Sequence, residues 1–266
     1  MTWVAWRQHR LGVAVFTVAF LAVAGVYLFA DALGTTAHAV FGTPDGFTGT
    51  FWLAERLDVV RLLSLLVGVF VGAPLVAREV EQRTYRYAWT QGVSRRRWLS
   101  TKVLLLGAVV LLLSTAYTAV HMWWFAPVAG QQGWFTIYNQ AGVVFPAYCL
   151  FSFVLGVAAG AVVRQTVVAM VITLVGGVVA MFGMSLLRLR FAEPVTLFGP
   201  ADSTAIDDVA RLGDVLGSGG SPTATFVTFH PAERFWPFQF TEASIVLGMT
   251  LAALAVAFWR LRRKTS

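Results

Sequence analysis

The stretch Val143–Leu187, VVFPAYCLFSFVLGVAAGAVVRQTVVAMVITLVGGVVAMFGMSLL, decides the fold. Its one formally charged residue, Arg164, stands with Gln165 between two long apolar runs. Runs of about 18 or more apolar residues read as membrane-crossing helices, because in hydrocarbon each backbone amide must find its partner within its own segment. With only two residues between them, Val143–Val163 and Thr166–Leu187 are expected to form a tight hairpin of neighbouring helices.

The same signal recurs at Leu11–Ala30, Leu57–Ala77, Val103–Ala126 and Ala243–Trp259, giving six spans. The second span carries Asp58 and Arg61 near its start, one helical turn apart, where they can pair or reach the interface. The alternating segments of about ten residues that mark a membrane barrel are absent. Charged residues make up 12% of the 266, well below the quarter or so of a soluble domain. The sequence therefore predicts an all-α polytopic membrane protein, residues 1–266 forming a single transmembrane domain.

Lys and Arg in alternate loops set orientation. With the N-terminus inside, fourteen fall on the cytoplasmic side and six outside, so both termini are expected to be cytoplasmic. The first apolar run, followed by AHA at Ala37–Ala39, imitates a secretory signal, but at about twenty residues it exceeds the usual 7 to 15. It is read as a retained helix in a multi-pass plasma membrane protein. Residues 1–10, with Trp3, Trp6, Arg7 and Arg10, suit an interfacial segment. The net charge of +7 gathers where helices leave the membrane, which points to anionic lipid and not to nucleic acid.

The connection 188–242 is the one long external loop. Its Asp202, Asp207, Asp208 and Asp214 match no cation-binding loop spacing, GSGGSP reads as a turn, and the aromatics from Phe226 to Phe240 are expected to dip into the outer interface as short helices or re-entrant pieces beside the last span. Cys149 is the single cysteine, so neither an intrachain disulfide nor a cysteine metal cluster can form. His121, in the belt HMWWF, reads as an aromatic-belt or cavity residue. No metalloprotease, serine hydrolase or phosphate-loop motif occurs, so neither a catalytic nor a metal site is assigned. Apart from Asp58 and Arg61, the six spans contain no ionisable Asp, Glu, Lys or Arg, which leaves an ion-coupled pump little to work with.

Gly68 and Gly72 in the second span, and Gly156 and Gly160 in the fourth, form G-x-x-x-G faces suited to close helix packing, within one subunit or between two. Pro74 is expected to bend the second span or loosen its hydrogen bonding. After that span the chain turns polar: VAREVEQRTYRYAWTQGVSRRRWLSTKV, Val76–Val103. Residues 78–91 lack Pro and Gly, and Glu79 precedes Arg83 at the helix-supporting spacing. Gly92 suits a stop and Ser94 a cap for the next helix. Arg95–Lys102 is explained by topology and lipid charge alone; the patterned helix before it calls for a partner.

The run Gly72–Lys102 resembles the segment after the second helix of ABC-type-2 transporter permeases, with Gly72, Glu79 or Glu81, Thr84, Ser94 with Arg95, and Lys102 at the family's positions. The likeness is greatest to short permeases of actinobacterial exporters. Where the family has Gly-Thr, this chain has Arg83-Thr84. The resemblance implies a membrane subunit that is not itself an enzyme, paired with a second permease copy, identical or related, on two copies of an ABC ATP-binding subunit that holds the ATP and Mg. Residues 78–101 would be the cytoplasmic coupling segment, with Glu79, Glu81, Arg83, Thr84, Arg86 and Tyr87 as its contact residues. Two other functions stay open: a membrane-embedded enzyme acting on lipid or peptide through His121, His230 or Glu233, and a non-transporting anchor or immunity protein.

Overall fold

The structure, a computed structural model, describes residues 17, 18, 20–22, 25, 59–82, 94–200, 206, 209, 212–221 and 224–262. It is mostly helical, and among the described residues five helices are long and apolar enough to cross a membrane. The first span lies largely outside the described residues; within it, Phe20 is buried against Tyr117 and Phe145.

The second span comprises α1 (Val59–Val67), a π-helical turn (Gly68–Gly72) and α2 (Ala73–Glu81). Pro74 accounts for the wide turn. It has no N–H to give, its ring crowds the carbonyl one turn back, and the Ala73 N–H instead reaches the Gly68 carbonyl, five residues earlier. The expected loosening at Pro74 thus takes the form of a single π turn on its N-terminal side.

Helix α3 (Arg95–Phe125) starts where Ser94, extended at φ −65° and ψ 143°, accepts the Arg97 N–H at 3.3 Å. It is followed by a short turn (Ala126–Val128), α4 (Ala129–Gln132) and another tight turn (Trp134–Ile137). Helix α5 (Val144–Val163) is the central post, buried along most of its length and in contact with every other spanning helix described. It joins α6 (Thr166–Arg188) through Arg164 and Gln165, as the two-residue link requires. Arg164 closes α5 in the left-handed region at φ 65°, where its N–H bonds to the Gly160 carbonyl at 3.1 Å.

The glycine faces of the second and fourth spans lie against each other. A Cβ on Gly68 would collide with the Ser152 carbonyl, and one on Gly156 would lie 2.6 Å from the Ala73 nitrogen. Backbones this close exchange dispersion contacts that longer side chains would forbid.

Two sequence expectations are corrected after α6. The external connection is built on a three-stranded antiparallel sheet, β1 (Val195–Pro200), β2 (Asp214–Ser221) and β3 (Ala224–His230), in the order β1-β3-β2, so Phe226 and Phe229 lie in a strand, and helical structure begins only with the short turn Ala232–Arg234 that leads into the last helix. The fold is therefore not purely all-α. The sequences VTLFGP and ATFVTFH alternate between a covered and an open face, as β-branched and aromatic residues favour. On the covered face Val227 and Phe229 pack with Val195 and Leu197. The Gly-Ser run read as a turn is most of β2, held by β3 and irregular between Val215 and Gly217. Of the acidic residues in this loop, Asp214 opens β2, and Asp202, Asp207 and Asp208 lie outside the described residues. Second, the last helix, α7 (Phe235–Arg262), begins eight residues before the expected Ala243. Pro237 sits in its first turn, where a missing N–H costs nothing.

Candidate functional site: the two tied ends of the bundle

Arg78, Arg96 and Arg97 are exposed at one end of the bundle, with Arg164 beside them in the α5–α6 link. At this basic end the last turns of α2 meet all three neighbouring helices. Ala73 and Ala77 pack on Ala159 of α5 and Ala169 of α6. The Glu79 carboxylate pairs with the Lys102 ammonium of α3, which is only 4% exposed and lies 4.6 Å from the Trp98 ring centroid. Glu81 accepts the Thr166 N–H at 3.0 Å and the Thr166 hydroxyl at 2.7 Å. A carboxylate at the first N–H of a helix satisfies an orphan donor and faces the positive end of the helix dipole. Glu81 therefore caps α6 from another helix.

The two glutamates, two residues apart, point to different partners. The expected helical pairing of Glu79 with Arg83 is answered on the Glu79 side by Lys102. Arg83, Thr84, Arg86 and Tyr87, the remaining expected coupling residues, lie outside the described residues. Gly68, Gly72, Gly156 and Gly160 come together one to two turns deeper, in the α1–α2 contact with α5.

The opposite, sheet-bearing end holds residues that the sequence reading passed over. Glu242 is 1% exposed and inside α7, where the sequence placed the end of a loop. It accepts the Tyr138 hydroxyl at 3.0 Å and the Tyr148 hydroxyl at 2.8 Å, one on each oxygen. One turn earlier, Gln239 donates to the Tyr138 carbonyl at 2.8 Å and accepts from the Val143 and Val144 N–H groups at 3.2 and 3.1 Å. Gln239 thereby caps α5 across the bundle, as Glu81 caps α6. Gly142 allows that approach: at φ 59°, a Cβ there would lie 2.6 Å from the Gln239 oxygen. Arg188, at the end of α6, stacks 4.3 Å from the Tyr138 ring centroid and donates to Asn139 at 3.3 Å. The signal for this face was present: Phe235, Phe238, Gln239, Glu242 and Val246 recur at helical spacing and are all buried, while Trp236 and Phe240 are exposed.

The histidines named for an enzymatic role have separate structural surroundings. His121 stacks between Tyr117 and Trp124. His230 ends β3, with Nδ1 3.1 Å from an Arg234 guanidinium nitrogen and the ring edge-on to Phe238 at 4.9 Å. Burial, and after it the charges of Arg234 and Arg188, hold its pKa below the ordinary histidine value against the opposing pull of Asp214. Glu233 is exposed. Among the described residues no group of His, Cys, Asp and Glu could hold a metal ion.

No curated protein and no solved structure matches the chain. A family model described as ABC-2 membrane transporter related matches residues 45–188, more than half of the sequence, from ahead of α1 through the end of α6. This multi-pass membrane protein, with the glycine-faced second span and tied basic end just described, belongs to the ABC-2 membrane transporter related family.

Proposed function

We propose that the chain is the membrane-spanning subunit of an ATP-driven exporter in the plasma membrane. It works with a second permease copy, identical or related, and with a separate ATP-binding subunit that carries ATP and Mg. The basic end faces the cytoplasm, both termini lie there, and residues 78–101 receive the ATP-binding subunit. The apolar, aromatic walls of the spans suit a lipophilic, amphiphilic or cationic substrate, moved by alternating access.

One observation carries this reading. The polar segment that would meet the partner leaves directly from α2, whose final turns are bonded through Glu79 to α3 and through Glu81 to α6. A push on that segment is delivered to three helices at once. Family membership supports the assignment, and the lack of any phosphate loop in the chain fits hydrolysis on another subunit.

The test is co-expression with ATP-binding subunits, followed by purification and reconstitution with the dye ethidium as a cationic probe. Dye movement should require a phosphate-loop subunit and ATP, and Arg83→Glu with Glu81→Ala should leave ATP hydrolysis running while dye movement falls. Movement that persists without any ATP-binding subunit overturns the reading.

A further inference from the structure

The buried Glu242 is out of place in a bundle otherwise almost free of internal charge. A carboxylate withdrawn from water needs a counter-charge or several donors, or its burial costs several kcal/mol. Two tyrosine hydroxyls donate to it, and among the described residues no cation pairs with it directly. A compensating charge acts through a ring: Tyr138 gives its hydroxyl to Glu242 and its face to the Arg188 guanidinium. One chain of contacts therefore runs from α7 through the α4–α5 connection to α6, and Tyr148 adds α5. Gln239 adds the first N–H groups of α5.

We propose that Glu242, Tyr138, Tyr148 and Gln239 form a latch that holds the sheet-bearing ends of α5, α6 and α7 together, and that its release opens the bundle at this end alone. Hydroxyl-to-carboxylate bonds suit such a device. They are strong at 2.8 to 3.0 Å, fall away within about an ångström of separation, and re-form without rearranging covalent structure. An apolar contact of the same size would slide before it parted. The sheet is coupled to the latch as well: His230 rests on Phe238, and Arg234 donates to the Glu193 carbonyl across the root of the sheet. Movement of the sheet is thus passed to the first two turns of α7. The latch itself follows from this geometry; that a transport cycle is what opens it rests on the permease reading above.

The experiment uses the full chain in lipid nanodiscs with Cys149→Ser, and one reporter cysteine at a time. Val246→Cys lies one turn beyond Glu242 on α7, and Val76→Cys lies in α2 at the basic end; both valines are fully buried. The rate of maleimide labelling is compared with and without Tyr138→Phe and Tyr148→Phe, which keep the rings and remove only the hydroxyls. Labelling at position 246 should accelerate about ten-fold or more while position 76 stays protected. Acceleration at both positions would make the network ordinary packing, and acceleration at neither would show that it holds nothing closed; either overturns the latch. If the double variant does not yield folded protein, Tyr148→Phe alone is compared in the same way. No ATP-binding subunit takes part, so failure here leaves the permease assignment standing. ATP-independent dye movement would overturn that assignment and leave the latch intact.

Discussion

At the basic end, Glu81 of α2 caps α6; at the sheet end, Gln239 of α7 caps α5. The geometry is shared, a side chain of one helix closing the first turn of another, but the chemistry differs. The basic end uses full charges, Glu79 with Lys102 and Glu81 at a helix dipole, near the water where the helices emerge. The sheet end uses one carboxylate, two phenols and an amide, nearly all buried. The lesson is that a helix pair in lipid, which gains little from the hydrophobic effect, is fixed by polar ties at its ends and small residues between them. On the proposed reading, charged ties stiffen a region that moves as a body, whereas neutral donors on a single carboxylate make a contact that can be undone.

Four measurements would break or sharpen this contrast. The largest effect is expected where both ends depend on one contact: Gly156→Leu drives a side chain into the backbone of the second span. The variant should fail to give monodisperse protein, and a normal elution profile would remove the common pivot from the comparison. Next, Glu79→Ala leaves Lys102 buried without its partner and should cost about 3–5 kcal/mol in detergent unfolding, while Glu79→Leu with Lys102→Leu should recover most of it.

Third, Glu242→Ala takes the acceptor from two buried hydroxyls and should cost about 2–4 kcal/mol. Combined with Glu79→Ala it should be additive within about 0.5 kcal/mol if the two ends are independent. A larger coupling would show that they act as one unit. The smallest effect is a pH dependence confined to the sheet end. With its folded pKa lowered, His230 binds its proton more readily in the unfolded chain. Stability is therefore full above the ordinary histidine value and is lost as pH falls from about 6.5 toward the lowered folded value. Protection of the β3 amides, relative to their intrinsic exchange rate at each pH, should fall on acidification, with no such change in α2, and His230→Gln should abolish the dependence.

Much of the helical frame was legible because hydropathy over some twenty residues is a strong signal, and the hairpin at Arg164–Gln165 followed from the shortness of its link. Pro74 and Ser94 acted locally as their chemistry requires. The sheet was not legible for a physical reason. Its strands are six to eight residues long, β2 is rich in glycine, and the pairing of β1 with β3 joins segments separated by the whole of β2. Residues of the site divide in the same way. Glu79 and Glu81 stood out as acids in a basic segment, but their separate partners, Lys102 and Thr166, could only emerge from how the helices sit. Glu242 was missed because α7 was started at the first unbroken apolar run, which placed a buried carboxylate in a loop.

The π turn at Gly68–Gly72 sets how the chain tolerates changes in length. It holds one more residue than an α-helical turn and takes it up as a local widening, so removing a single residue there would restore regular winding and keep the faces that follow, whereas a deletion within α2 would turn everything after it by about 100°. A deletion in α2 ahead of Glu79 would swing Glu79 away from Lys102 and Glu81 from Thr166. Loss of one residue is thus absorbed within Gly68–Gly72, whereas the α5–α6 link, only Arg164 and Gln165 long, has none to lose without ending the hairpin.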